Sequence, residues 1–338
     1  MDQPPIPGSD HSPAASDSLA ERRRTLIQQC TQATRQIGTR LLFGMTTSLT
    51  LQGVPLPRQC DIDDGMLHTV SSSKPRRNRG NTAIMRNHVW TCFTSTDIVR
   101  INETVYALNP LHTVAQLSSH LPADELVALC EIVITTMSRQ TTRHPQGVRH
   151  DMLRFLEDMP RFAGKRSWMR VMPLVRPNVD SMQESHMNLA LIRHGIPASV
   201  ANHEVAGIVF PSGAPMTLDM AWPDCRVAVE YDGDHHRTDP RQWRRDRDKR
   251  DRLRARGWII HTATADSLAN DTARAEFAFG VARSLAERGA DFTFHVVARE
   301  IEQVIRQFTR NLHDRGSDRG SRNGDRRNGT IPNARGMQ

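Results

Sequence analysis

The sequence predicts an α/β protein built in two units, and three observations carry that expectation. Short apolar runs with strand-like alternation recur between stretches of helical periodicity, the mixture from which α/β folds are built. The 338 residues exceed what one core of about 100–200 residues usually organises. The character of the chain also changes near Pro177. A separate N-terminal α+β domain is expected over 19–176 and a second domain over 180–310, between disordered tails at 1–18 and 311–338. The last tail is Arg, Gly, Asn and Asp with almost no apolar residues, so it cannot offset the entropy of folding.

In the first unit, Leu19–Ile37 has helical spacing, and Leu41–Gly53 reads as a helix stopped by its glycine. Met66–Val70, Thr82–Arg86 and Thr104–Leu108 read as short strands, with the basic loop Ser71–Gly80 between the first two. Pro110 starts a helix, Ala123–Thr136 forms another with acids in its first turn, and Met152–Met159 is helical. In the second unit, Ser181 and Glu184 form a capping box for a helix that ends at Gly195. Phe292–Val297 reads as a strand followed by a helix to about Phe308.

Composition narrows the function classes. Mean hydropathy is −0.54, and no run approaches the roughly 20 apolar residues that span a bilayer, so no membrane partner is expected. Residues 1–18 lack the basic and apolar regions of a signal peptide, which makes a cytoplasmic protein the expectation. Five scattered cysteines without a CxxC pair argue against a disulfide framework or a cysteine zinc site. A net charge of +8 favours an anionic partner, with DNA the leading candidate.

The chemistry concentrates in Leu218–Gly257. Thr217–Trp222 and Val227–Asp232 are strands joined by a tight turn at Pro223–Asp224. Alternation sends Val227, Val229 and Tyr231 to one face and Ala228, Glu230 and Asp232 to the other. An antiparallel pairing brings Asp219 level with Glu230. Carboxylates so gathered repel unless a cation neutralises them, and hard oxygen ligands of this kind suit Mg²⁺ or Mn²⁺. Gly233 and the pair His235–His236 follow, then Asp239–Pro240 opens a helix over Gln242–Arg256 loaded with arginine. Trp258–Thr262 is a further strand, so the order is helix, strand, strand, helix, strand.

The pattern Glu184…Asp219…Glu230-Tyr231-Asp232-Gly233…His236…Arg245-Asp246…Leu253…Gly257-Trp258 resembles an uncharacterised domain family related to very-short-patch repair endonucleases, within the PD-(D/E)XK nuclease-like superfamily. The resemblance covers about 181–264 and implies a restriction-endonuclease-like mixed sheet flanked by helices. It also implies metal binding by Asp219 and Glu230, supported by Asp232 and Glu184, with His235 or His236 acting on the attacking water or the phosphate. Two departures stand out: Asp232 occupies the place of the E-x-K lysine, and His261 replaces an arginine on the last strand. The repair enzymes' structural zinc site has no counterpart. More weakly, GMTTSLTLQGVPLP and NPLHTVAQLSSHLP within residues 40–176 are similar to the C-terminal part of AbiEi-type antitoxins, without a complete winged helix.

Two functions follow as expectations. The first is a Mg²⁺-dependent DNA endonuclease with Asp219, Glu230, Asp232, His235 and His236 in the reaction. Arg241, Arg244, Arg245, Arg247 and Lys249 would grip the DNA backbone. The second is a DNA-binding regulator of antitoxin type that does not cut.

Overall fold

A computed structural model describes residues 13–75, 83–232 and 240–310, with side chains from residue 18 onward and, after the second break, from residue 245. The N-terminal part opens with α1 (Pro13–Ile37), β1 (Leu41–Phe43), α2 (Met45–Leu51), β2 (Leu67–Ser71) and β3 (Met85–Val89). It continues through β4 (Ile98–Arg100), β5 (Val105–Leu108), α3 (Pro110–Leu117), α4 (Ala123–Thr141), α5 (Pro145–Asp158) and α6 (Lys165–Val171). Its strands form one mixed sheet in the order β3-β2-β1-β5-β4. β1 runs parallel to β5 and antiparallel to β2. Local chemistry explains several boundaries. Asn109 caps α3 by accepting from the His112 N–H, with Pro110 in the first turn. Asp124 and Glu125 face the positive end of α4, and Arg139 its negative end.

Helices α2 to α6 enclose an apolar core that includes Leu126, Leu129, Val133, Met152 and Trp168. Each fully buried side chain of this size contributes about 1.5–3 kcal/mol relative to exposure. That core continues into α7 (Met182–Arg193) through Met182, Leu189 and Ile192, and into the helical stretch 301–310 through Val304 and Ile305.

After α7 come β6 (Val200–Val209), β7 (Pro215–Trp222), β8 (Val227–Tyr231), α8 (Pro240–Ala255), β9 (Ile259–Ala263) and α9 (Asp271–Glu287). The second sheet has the order β6-β7-β8-β9, antiparallel except for the parallel β8–β9 pair. One of its faces packs Met220, Trp222, Val227 and Val229 against Met187 and Leu191 of α7 and Val281 and Leu285 of α9. Its other face packs Leu218, Ala221 and Ala228 with Leu253 of α8 and Trp258.

Several expectations are corrected. Leu41–Phe43 is a strand, because its backbone pairs with β5, and the helix starts only after Gly44. A Cβ on Gly44 would lie 2.3 Å from a Val70 methyl, so the turn between strand and helix requires glycine. α1 begins at Pro13, inside the expected tail. Phe292–Val297 is not a strand. Its carbonyls and amides meet the C-terminus of α7 instead, where the His295 N–H donates to His194 O. Gly195, at φ +91°, makes that crossing possible, since a Cβ there would sit 2.0 Å from Thr293 O. Strand β6 and helices α6 and α9 were not anticipated from the sequence. The expected tail 311–338 and the second half of the basic loop, residues 76–80, lie outside the described residues.

Candidate functional site

The β7–β8 hairpin turns at Pro223–Cys225, with Arg226 at φ 51° completing the reversal. Its ladder pairs Trp222 with Val227, Ala221 with Ala228 and Met220 with Val229. One step further the side chain replaces the backbone, and Asp219 Oδ2 accepts the Tyr231 N–H at 2.9 Å. Alternation from Ala221 and Ala228 puts Asp219 and Glu230 on the face covered by α8. From that helix Lys249, only 7% exposed, brings its Nζ to 2.6 Å from Glu230 Oε1. The approach is an ion pair off hydrogen-bond alignment, because Oε1 has no aligned donor.

Glu184 closes the site from α7. Half of the expected capping box is present: Ser181 Oγ accepts the Glu184 N–H at 3.2 Å, while it donates to Glu184 Oε1 at 2.7 Å. Oε2 accepts the Asp180 N–H at 3.2 Å. Burial raises this carboxyl well above its ordinary range, and the charges of Asp219 and Asp180 raise it further. Part of the Asp219 surface stays open to solvent, yet protein crowds its carboxyl group. Burial first, then the Glu230 charge, pushes Asp219 up to about 7, against the opposing pull of Lys249 and the Tyr231 N–H. The hairpin carries Asp219 and Glu230, with Lys249 paired to Glu230, and the start of α7 carries Asp180 and Glu184, whose charges are felt across to Asp219. Carboxyls raised by burial and neighbouring charge, as Glu184 and Asp219 are, suit a cation-binding or proton-handling site.

Two of these residues were missed or misread. Asp180 was not singled out, although its place one residue before the Ser181 cap put it beside Glu184. Lys249 was grouped with the cations expected to grip DNA, but it points inward to Glu230. The sequence lacks an E-x-K lysine on β8, yet the acid there has a lysine supplied by α8. Position provided the signal: among Arg and Asp neighbours, Lys249 lies four residues before the buried Leu253 and so on the same face.

The other candidates are placed as follows. Asp232 follows β8, half-buried, with its N–H donating to Ala263 O at 2.7 Å. His235 and His236 lie outside the described residues, and Arg241 and Arg244 belong to the α8 backbone with undescribed side chains. Arg245 stacks over the Phe210 ring at 4.2 Å, and exposed Arg247 approaches Asp251 at 3.9 Å. Among the described residues no three Asp, Glu, His or Cys side chains are gathered as a ready metal cage. The donor chemistry nevertheless fits a hard divalent cation: carboxylate oxygens, crowded like charge, and a Glu230 oxygen without an aligned donor.

A cavity of about 690 Å³ lies elsewhere, between the end of α7 and residues 291–308. Its lining is largely apolar, including Ile196, Pro197, Phe292 and Phe308. The nearby Arg299 guanidinium is tied to Ile192 O. It contains no counterpart of the acid cluster.

Among curated proteins, the chain is similar to two uncharacterized proteins of Mycobacterium tuberculosis, MT2308 of strain CDC 1551 / Oshkosh and Rv2248 of strain ATCC 25618 / H37Rv. Each is 29% identical over 104 residues, which is 31% of this chain and 37% of the relative. The chain thus spans little more than a third of the length of the relatives it matches. No family model and no solved structure matches the chain.

Proposed function

We propose that the chain is a Mg²⁺- or Mn²⁺-dependent DNA endonuclease of restriction-endonuclease-like fold, related to very-short-patch repair endonucleases, that hydrolyses phosphodiester bonds. The observation that supports this reading is the Glu230–Lys249 ion pair beside Asp219 on a hairpin of a mixed sheet flanked by helices, with the Asp219 charge acting on buried Glu184. Asp219 and Glu230 would hold the cation, with Glu184 and Asp232 in support. A bound divalent cation supplies positive charge for the phosphorane-like transition state and lowers the pKa of water. Lys249, paired with Glu230, would keep that carboxylate oriented and add fixed positive charge for transition-state stabilisation. His235 or His236 orients or deprotonates the attacking water, and Arg245 and Arg247 contact the DNA backbone.

One observation favours a second reading, a DNA-binding regulator that does not cut. Lys249 already neutralises Glu230, and no ready cage is gathered among the described residues. Supercoiled plasmid incubated with Mg²⁺ or Mn²⁺ separates the two. The nuclease reading expects nicking by the wild type and its loss in Asp219→Ala and Glu230→Ala. Metal-independent, salt-sensitive DNA retention without any nicking would support the regulator.

A further inference from the structure

We propose that α4 of the first unit positions the acid cluster of the second: Glu131, Thr135 and Arg139, spaced four apart on one face, clamp the turn that presents Glu184 to Asp219. This inference deepens the nuclease reading and rests on it for its functional half.

Residues four apart on a helix share a face, so one stripe of α4 can hold a whole neighbouring segment. Glu131, fully buried, accepts from both ends of that segment. Its Oε1 takes the Arg176 N–H at 2.7 Å and the Arg176 Nε–H at 3.1 Å. Its Oε2 takes the hydroxyl of Ser185, the neighbour of Glu184, at 2.6 Å. One turn on, Thr135 Oγ1 donates to Val179 O at 2.7 Å. One turn further, Arg139 reaches Asp180 Oδ1 at 2.6 Å. At the start of α4, Glu125 lies 3.3 Å from His186 Nε2. The helix therefore contacts Arg176, Val179, Asp180, Ser185 and His186, the residues flanking Glu184 on both sides. Glu184 itself spends its oxygens on Ser181 and Asp180 within the same turn.

The network also extends into the second sheet. Arg176 donates to Ser199 Oγ at 2.9 Å, and Ser199 donates to Asn188 Oδ1 at 3.0 Å. Ser199 immediately precedes β6, the strand paired with the Asp219-bearing β7. One carboxylate on α4 thus fixes the start of α7 and the entry to the sheet against each other. These are positioning residues: none of them is among the acids assigned to the cation.

The test uses the full chain and the variants Glu131→Gln, Ser185→Ala, Arg139→Gln and Arg139→Lys. Hydrogen exchange read by mass spectrometry should accelerate over residues 177–188 in the first three and leave 215–231 at the wild-type rate. Plasmid nicking per folded molecule should fall about 10–100-fold, as for outer-shell partners of metal ligands, with DNA affinity in EDTA unchanged and with Arg139→Lys partly restored. Wild-type nicking in all three variants, or exchange that is unchanged or accelerated across the whole chain, overturns the proposal. Ser185→Ala removes a single hydroxyl and keeps the test valid should Glu131→Gln fail to fold. If the wild type itself nicks nothing, the nuclease reading falls, and the exchange result alone decides the positioning.

Discussion

The two units treat their buried acids in opposite ways. In the first, each buried carboxylate is matched by donors. Glu131 accepts from two Arg176 nitrogens on one oxygen and from Ser185 on the other, and Glu125 accepts the Arg58 N–H. Burial pushes Asp97 up, but the Thr94 N–H and hydroxyl and the neighbouring His112 hold it below the usual carboxylate range. In the second, burial and the charges of Asp219 and Asp180 raise Glu184, and burial and the Glu230 charge raise Asp219, even though each accepts hydrogen bonds. Desolvating a charge is tolerable only where partners replace water. An acid with a full set of donors is explained by the fold. Acids raised by burial and by like charge despite their donors hold a cost the fold does not require, which is the ground for the proposed site.

The sharpest way to break this contrast is to remove a carboxylate from each side. Glu131→Ala leaves Arg176 buried without its counter-charge and should cost about 3–5 kcal/mol in urea unfolding. A loss below about 1 kcal/mol would show that Glu131 is not spent on structure. Asp219→Asn should act in the opposite direction in the absence of divalent cations. The folded-state pKa of Asp219 is raised from 3.8 to about 7, so the folded form holds its proton while the unfolded form has lost it. Stability from this group is full below pH 3.8 and is lost as pH rises toward 7. The variant should therefore equal the wild type at low pH and exceed it near pH 8 by up to ~4 kcal/mol. Parallel stability curves would contradict the raised carboxyl.

Lys249→Met refines the same comparison. Loss of the ammonium 2.6 Å from Glu230 leaves that carboxylate without its charge partner, at a cost of about 1–3 kcal/mol at neutral pH. A neutral result would return Lys249 to the solvated arginine face. The smallest effect is expected at Arg247, whose contact with Asp251 is exposed. Arg247→Ala should change stability by less than about 0.5 kcal/mol. If it contacts phosphate, the slope of log affinity against log salt should drop by about 1.

How much of this the sequence disclosed depended on whether a residue's role was local. The Ser181 cap on the Glu184 N–H and the antiparallel hairpin that carries Asp219 and Glu230 follow from spacing and strand alternation, and both are present. Roles set by long-range packing stayed hidden. Lys249 looks like one more cation on a basic helix until α8 is laid across β8. β6 was obscured because His203, Glu204 and Gly207 interrupt its apolar alternation. Phe292–Val297 has strand-like residues, but its backbone bonds go to the end of α7 rather than to a sheet, and Val296 and Val297 remain 74% and 82% exposed. The grip of α4 on the 176–185 turn joins residues some 45 positions apart, a separation that periodicity does not register. His235 and His236 lie outside the described residues.

The central claim is that the acid cluster beside Lys249 exists for metal-assisted phosphodiester cleavage, and plasmid nicking tests it most directly. Purified full-length protein, Asp219→Asn and Glu230→Gln should be compared on supercoiled DNA across Mg²⁺ and Mn²⁺ concentrations, with folding checked by circular dichroism. The account predicts metal-dependent nicking by the wild type and at least a ~100-fold loss in both variants, a size typical of removing one preorganised electrostatic group. Equal nicking by all three folded proteins, or none by the wild type with either metal, would contradict it.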